Sequence, residues 1–237
     1  GALAVAAGMS HGCRAALEGG RANPSLAVVE RIGKVLGLRL ELASTPPIVM
    51  EPVRQRDLVH ARCSAYVDRR FRAAGWLTRR EVEVVHGRWH GWIDLLAFDP
   101  RTRTLVLVEV KTRLDDVGGA ERQLTWYERH LPELARRASW RPTRTSSWLL
   151  LLASDEVESA VRANRAALDI AFPDRARTMR TVVQPDPADT LKVGERGLAL
   201  IDPRSRRRAW LMPSRSDGRR SPTAYRDYAE AARLLGR

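Results

Sequence analysis

Leu105-Val106-Leu107-Val108-Glu109-Val110-Lys111 is an apolar strand that runs into a carboxylate and ends on a lysine. Strand side chains alternate, so Glu109 and Lys111 share one face with Leu107, while Val108 and Val110 point to the other. The lysine is informative because only three of the 41 Lys and Arg residues are lysine. A chain that uses arginine wherever it needs a positive charge has placed here a compact ammonium whose pKa burial can tune. A second apolar run, Gly91-Trp92-Ile93-Asp94-Leu95-Leu96-Ala97-Phe98, lies upstream and is interrupted by one acid. If the two strands are antiparallel neighbours, Asp94 converges with Glu109 and Lys111 near one sheet edge. Two carboxylates at close quarters repel unless a cation lies between them. Hard oxygen donors with open water positions suit Mg²⁺ or Mn²⁺. Such an ion polarises a phosphodiester oxygen and lowers the pKa of a bound water, and the Lys111 ammonium would stabilise charge developing on the phosphate.

Working outward, three strands follow one another over residues 79–85, 91–98 and 104–111, with turns at Gly87 and Asp99-Pro100. A helix over 54–74 precedes them. Gly118-Gly119 introduces a helix over 120–137. Residues 146–153 read as a fourth strand, apolar throughout and buried on both faces. A helix over 155–172, a hairpin of 197–202 with 209–212 across Pro203, and a closing helix over 225–235 complete this part. The expected fold class is therefore α/β, with a mixed central sheet and the order helix, three strands, helix, strand.

Ahead of this lie short helices in residues 1–43, including one that Ser25 caps and whose stripe of Leu26, Val29, Ile32, Val35 and Leu36 stops at Gly37. Ser44-Thr45-Pro46-Pro47 marks a linker, since consecutive prolines break helix and strand. The expected domains are 1–43, a linker over 44–52, and 53–237.

The whole chain has 237 residues, 44% hydrophobic and 29% charged, and a net charge of +13. That surplus points to a polyanionic partner, with DNA the leading candidate. Arginines cluster between 54 and 80, where Arg69 and Arg70 are candidate phosphate contacts, and again between 204 and 220. A GC-rich bacterial genome explains arginine over lysine, but not arginine over acid. The longest apolar stretch, 148–153, is far too short to cross a membrane. Two cysteines and no secretory leader set the expectation of a reducing cytoplasm. His86 and His90 lack accompanying cysteines, so they are not read as a zinc site. The tryptophans are read as packing residues.

The helix–three-strand–helix–strand order with Ile93-Asp94 and Glu109-Val110-Lys111 resembles the PD-(D/E)XK, or restriction-endonuclease-like, nuclease superfamily. Ile93 stands where that pattern usually has proline. The resemblance implies Mg²⁺-dependent (or Mn²⁺-dependent) DNA hydrolysis, with Asp94, Glu109 and the Val110 position binding metal and Lys111 assisting the attacking water. Gln123-Leu124-Thr125-Trp126-Tyr127 is similar to the QxxxY element of the exonuclease branch, which places Gln123 and Tyr127 on one helix face. Glu83, or Glu81 two residues before it, stands where some branches carry a further acid. Many members of the superfamily dimerise to cut both strands, so a homodimer is a possible partner state.

Residues 3–43 resemble a phage-repressor-type (Xre-like) helix-turn-helix whose first helix is missing. Residues at the start of its second helix, Ser10, His11 and Gly12, with Arg14, would meet DNA. Arg14 falls where that family places a buried aliphatic residue, so a helical docking module is the competing reading. For the whole chain, the competing function is a DNA-binding regulator that keeps a nuclease fold without turnover.

Overall fold

A computed structural model describes residues 10, 12, 15, 25–37, 58–87, 89–184, 195–215 and 219–236. The chain divides into two compact units, Gly1–Pro47 and Ile48–Arg237. In the first, helix α1 (Leu26–Val35) starts after Ser25, whose backbone is extended but whose hydroxyl makes no capping bond. It ends where Gly37 takes a left-handed φ of 68°. Gly12 and Ala15 are helical and Ser10 is exposed. His11, Arg14 and most of the helix-turn-helix reading lie outside the described residues, as does the proline linker.

The second unit is built on six strands: β1 (Leu77–His86), β2 (Trp89–Asp99), β3 (Thr104–Lys111), β4 (Arg144–Leu152), β5 (Asp174–Arg175) and β6 (Arg196–Ile201). Their order across the sheet is β1-β2-β3-β4-β6-β5. The first three are antiparallel, while β3, β4, β6 and β5 run parallel. Parallel strands are covered on both faces, and this explains the unbroken apolar runs of β3 and β4. Alternation sends Val106, Val108, Trp148 and Leu150 to one face and Leu105, Leu107, Leu149 and Leu151 to the other.

Helices cover each face. On the first lie α2 (Leu58–Ala73), α6 (Ala176–Val183) and α7 (Tyr228–Leu235). Against the second pack α3 (Val117–Arg137), α4 (Asp155–Ala163) and α5 (Arg165–Ala171). In α2, Val59, Cys63, Val67 and Phe71 recur at helical spacing and are fully buried. Each such side chain contributes about 1.5–3 kcal/mol on burial. The helix stops at Gly75, whose φ of 86° lets the Trp76 and Gly75 amides donate back to Phe71 and Arg72. The end of α3 has the same pattern on Ser139, a residue with a Cβ at φ 60°.

Three sequence expectations change. The hairpin across Pro203 is reduced to one bridge, Leu200 to Met212. Residues Gly197 to Ile201 are buried and so belong inside the sheet, where β6 pairs with β4 and β5. The helix over 155–172 breaks at Asn164, whose side-chain amide donates to the Ala160 carbonyl. The closing helix begins later, where Asp227 accepts from the Glu230 amide.

Candidate functional site

The site begins with a parting of strands. Pairing of β2 with β3 ends at Leu95 and Val108, yet β3 stays on β4 as far as Lys111 and β1 stays on β2 as far as Trp89. From Asp94 back to Trp89, β2 therefore lies off β3, and the sheet opens into a fork at the carboxy ends of the parallel strands. Side-chain alternation also breaks here, since Ile93 packs on the α3 face and Leu95 on the α2 face. Across the strand, Glu81 takes a left-handed φ of 50° between the pairs Arg80–Leu95 and Val82–Ile93. A residue with a Cβ held there costs about 1–3 kcal/mol, and such strain tends to gather at functional sites.

Asp94 bridges the mouth of the fork. Its Oδ2 accepts from the Val110 amide at 2.7 Å, and its Oδ1 lies 3.2 Å from His60 Nε2 on α2. Glu109 and Lys111 face α3, as strand alternation requires. Lys111 Nζ lies 2.9 Å from Glu109 Oε1 and donates to Gln123 Oε1 at 3.1 Å. Gln123 Nε2 donates to the Tyr127 hydroxyl at 3.1 Å, which donates to the Trp92 carbonyl at 2.6 Å. The chain of bonds thus runs from β3 through α3 and back to β2.

Charge in the fork is unevenly satisfied. Glu109 is 3% exposed, and its Oε2 has no hydrogen-bond partner. Burial pushes its carboxyl up to about 7, opposed by the Lys111 charge and reinforced by Asp94. Burial draws the Lys111 ammonium down, but the charge and hydrogen bond of Glu109 outweigh it and leave the pKa raised. His60 behaves alike: burial lowers it, and the bond and charge of Asp94 carry it above the ordinary imidazole value. The Tyr127 phenol is raised by burial and then by the Glu109 charge.

No three His, Cys, Asp or Glu side chains gather into a metal cage among the described residues. The donors that do meet, Asp94 and the unpartnered oxygen of Glu109, are nevertheless what a hard cation needs when it keeps several waters. An orphaned, buried carboxylate oxygen beside a second carboxylate fits a divalent ion. His60 Nε2 is engaged by Asp94 Oδ1 and so orients that carboxylate.

Other candidates fall elsewhere. Glu83 lies opposite Trp92 and pairs with His90, away from Glu109. His86 packs on the His130 ring, so the two histidines of the rejected zinc reading serve different contacts. Arg69 is exposed. Arg70 is held, donating to the Ser205 carbonyl at 2.6 Å and lying 5.0 Å over the Tyr66 ring. His60 was missed from the sequence, where it is a lone histidine in an amphipathic helix; its only local signal is a place on the sheet-facing side with Val59 and Cys63.

A cavity of about 940 Å³ lies at the opposite ends of the same strands, lined by Leu105, Leu131, Trp140, Ile170 and Arg196. There Arg196 donates to Glu128 from Nε at 2.8 Å and from Nη2 at 2.6 Å, and to the Thr125 hydroxyl at 2.7 Å.

Fold and site together define a mixed α/β domain carrying an acid–acid–lysine group where its sheet splits. Residues 71–139 match the model of the uncharacterised protein family UPF0102. UPF0102 proteins of Mycobacterium tuberculosis and Mycobacterium bovis are 36% identical over 81 residues, 32% of this chain and 62% of theirs. The UPF0102 protein of Mycobacterium avium is 33% identical over 93 residues, 38% of this chain and 65% of its own. The chain thus spans just under two thirds of the length of these relatives. The matched segment contains Asp94, Glu109, Lys111, Gln123 and Tyr127, and leaves His60 outside it. No helix among the described residues is long and apolar enough to cross a membrane.

Proposed function

We propose that this chain is a divalent-metal-dependent deoxyribonuclease of restriction-endonuclease-like type, acting in the bacterial cytoplasm. The observation that carries the reading is the meeting of Asp94, Glu109 and Lys111 in the β2–β3 fork, with one buried Glu109 oxygen lacking any donor. Asp94, Glu109 and the Val110 carbonyl would hold Mg²⁺ or Mn²⁺, with His60 steadying Asp94. The ion, when bound, supplies Lewis-acid polarisation of the phosphate and a water of lowered pKa.

The chain's own groups do the rest. Lys111 presents an ammonium whose position is fixed by Glu109 and Gln123, and it stabilises charge developing on a phosphate oxygen. Gln123 is itself held by Tyr127, so the lysine is oriented before substrate arrives. The amide of Val110 and the ring of His60 fix both oxygens of Asp94. The +13 net charge favours a nucleic acid over a neutral substrate. Helix-turn-helix contacts from Ser10, His11 and Arg14 would add DNA affinity, and a homodimer would allow both strands to be cut.

Incubation with plasmid and oligonucleotide DNA in Mg²⁺ or Mn²⁺ tests this. Cleavage is expected, and Asp94→Ala and Lys111→Ala should each lower it by about 10²–10³-fold. No cleavage in either metal, or undiminished cleavage by both variants, would reject the nuclease reading. One observation favours the second reading, a DNA-binding regulator without turnover: Lys111 and Asp94 already have protein partners, which balance their charge internally. That reading predicts footprints at defined sites in EDTA, and wholly random binding would count against it.

A further inference from the structure

The two arginine clusters are far apart in sequence, one before β1 and the other after β6. The fold joins them. Strand β6 lies two places from β3, and neighbouring strands are ~4.8 Å apart, so the end of β6 lies ~10 Å along the sheet edge from the end of β3. Both strands run the same way through β4, so the loop leaving β6 at Asp202 emerges on the edge that carries the fork. That loop then folds onto α2. The Tyr66 hydroxyl donates to the Ser205 carbonyl at 3.2 Å and Arg70 Nη2 to the same oxygen at 2.6 Å. Farther on, Trp210 is buried with its ring edge-on to Tyr66 and Phe71.

Arg62, Tyr66 and Arg70 recur at i, i+4 and i+8, and so form the stripe of α2 that meets this loop. Arg62 and Arg69 are exposed beside it, and Arg206, Arg207 and Arg208 are exposed on the loop. The acids nearby are engaged inward. Asp202 accepts from the Tyr225 hydroxyl at 2.6 Å and the Arg204 amide at 3.0 Å, while Asp68 takes Thr78 and Arg72. The result is an anchored backbone bearing exposed guanidinium groups, with Arg204 over the Tyr225 ring and Arg208 donating to Gln184 at 3.2 Å, which begins at the fork's edge and continues along α2.

We propose that residues 204–208 and the Arg62–Arg69 flank of α2 form one phosphate-binding track, along which a nucleic acid strand runs away from the fork. This rests on the nuclease reading for its starting point. Guanidinium forks suit phosphate oxygens, and the anchored loop loses little freedom on binding. With stacked nucleotides rising ~3.4 Å per strand position, the ~10 Å from fork to loop corresponds to about three nucleotides. All six exposed arginines of the track, Arg204 included, lie outside the segment matched by the family, 71–139, so the track belongs to this longer chain.

The test is fluorescence anisotropy of the full chain with a labelled 20-nucleotide DNA, single-stranded and duplex, in EDTA over 50–300 mM salt. EDTA prevents cleavage, so binding is read alone. Arg206→Ala/Arg207→Ala/Arg208→Ala should weaken binding about 10–100-fold at low salt. It should also flatten the slope of log affinity against log salt by about 2 to 3, from about 0.7–0.9 per lost phosphate contact. Arg129→Ala/Arg136→Ala/Arg137→Ala removes the same charge from exposed positions on α3 and should leave the slope unchanged. Equal losses in both triple variants would mean diffuse attraction by net charge and would overturn the track. So would unchanged DNA binding together with lost binding to phosphatidylserine vesicles, which would make the surface a membrane contact. If neither metal yields cleavage but the loop variant still loses affinity and slope selectively, the nuclease reading fails and the binding surface stands. Cleavage with no selective loss gives the reverse.

Discussion

At the start of β6, Arg196 is enclosed by Glu128, Glu121 and Thr125, and donates three bonds of 2.8 Å or less. At the end of β3, Glu109 is more deeply buried, faces a second carboxylate, and keeps one oxygen with no donor. The first cluster adjoins a cavity of about 940 Å³, the second lies in the cleft between parting strands. The contrast separates two uses of buried charge. Around Arg196 the donors are taken up by Glu128 and Thr125, a closed network that holds α3 against β6. At the fork one carboxylate oxygen has no donor, and that open oxygen is what the proposed metal site would use. Glu158 is a useful control: its Oε2 also lacks a hydrogen bond, yet its other oxygen accepts from Ser221 and two guanidinium groups lie within 4 Å.

The largest expected effect is on turnover. Asp94→Asn and Lys111→Ala should each lower DNA cleavage by about 10²–10³-fold, the usual cost of removing one electrostatic stabiliser. Glu128→Gln, at the closed cluster, should leave the rate unchanged when assayed below its melting temperature. Equal losses in all three would erase the distinction. Next comes metal linkage. Mn²⁺ at a hundred times its dissociation constant should stabilise the wild type by about 2.7 kcal/mol in denaturant unfolding. Glu109→Gln should lose that gain and Glu128→Gln should keep it. Metal-free, the order reverses: Glu128→Gln should lose about 1–3 kcal/mol, since it breaks charged hydrogen bonds to a mostly buried guanidinium.

How much of this could be read in the amino acids depends on the range of the interaction. The strand at Thr104–Lys111 has its boundaries where the sequence puts them, because its apolar run and the Asp99-Pro100 turn are local features. Asp99 builds that turn by accepting from the Arg101 amide and the Thr102 hydroxyl. Asp94, Glu109, Lys111, Gln123 and Tyr127 were nameable because residue type and spacing alone suggest shared faces. The place of β6 was not, since Gly197 to Ile201 looks the same as a hairpin arm or as an interior parallel strand. Only pairing with β4, about fifty residues away, decides between them. Ser139 takes the left-handed conformation that glycine usually supplies, yet α3 ends at Arg137, where the sequence reading put it. Arg70 looked like a phosphate contact because nothing local shows that Ser205 will reach it.

His60 is the residue the sequence hid most completely, and it gives the smallest and sharpest of the tests. Its ring reaches Asp94 from α2, 34 positions earlier in the chain, so no motif spacing connects the two. If the ring only orients the carboxylate, its loss should weaken Mg²⁺ and Mn²⁺ alike. If it donates nitrogen to the ion, its loss should fall harder on Mn²⁺, because imidazole suits Mn²⁺ better than it suits Mg²⁺. Nε2 is the atom that meets Asp94, and against the pull of burial that bond and charge hold the imidazole above its ordinary pKa, so its proton is committed to the carboxylate and the first case is favoured. His60→Ala should then reduce Mg²⁺ and Mn²⁺ affinity alike by about tenfold, the low end for residues supporting a metal site. The Mn²⁺-over-Mg²⁺ preference, measured by calorimetric titration, should stay unchanged. A fall confined to Mn²⁺ would make His60 a ligand instead. No change for either would leave the Val110 amide as the group that orients Asp94, and the open cluster would then differ from the closed one only in the free oxygen of Glu109.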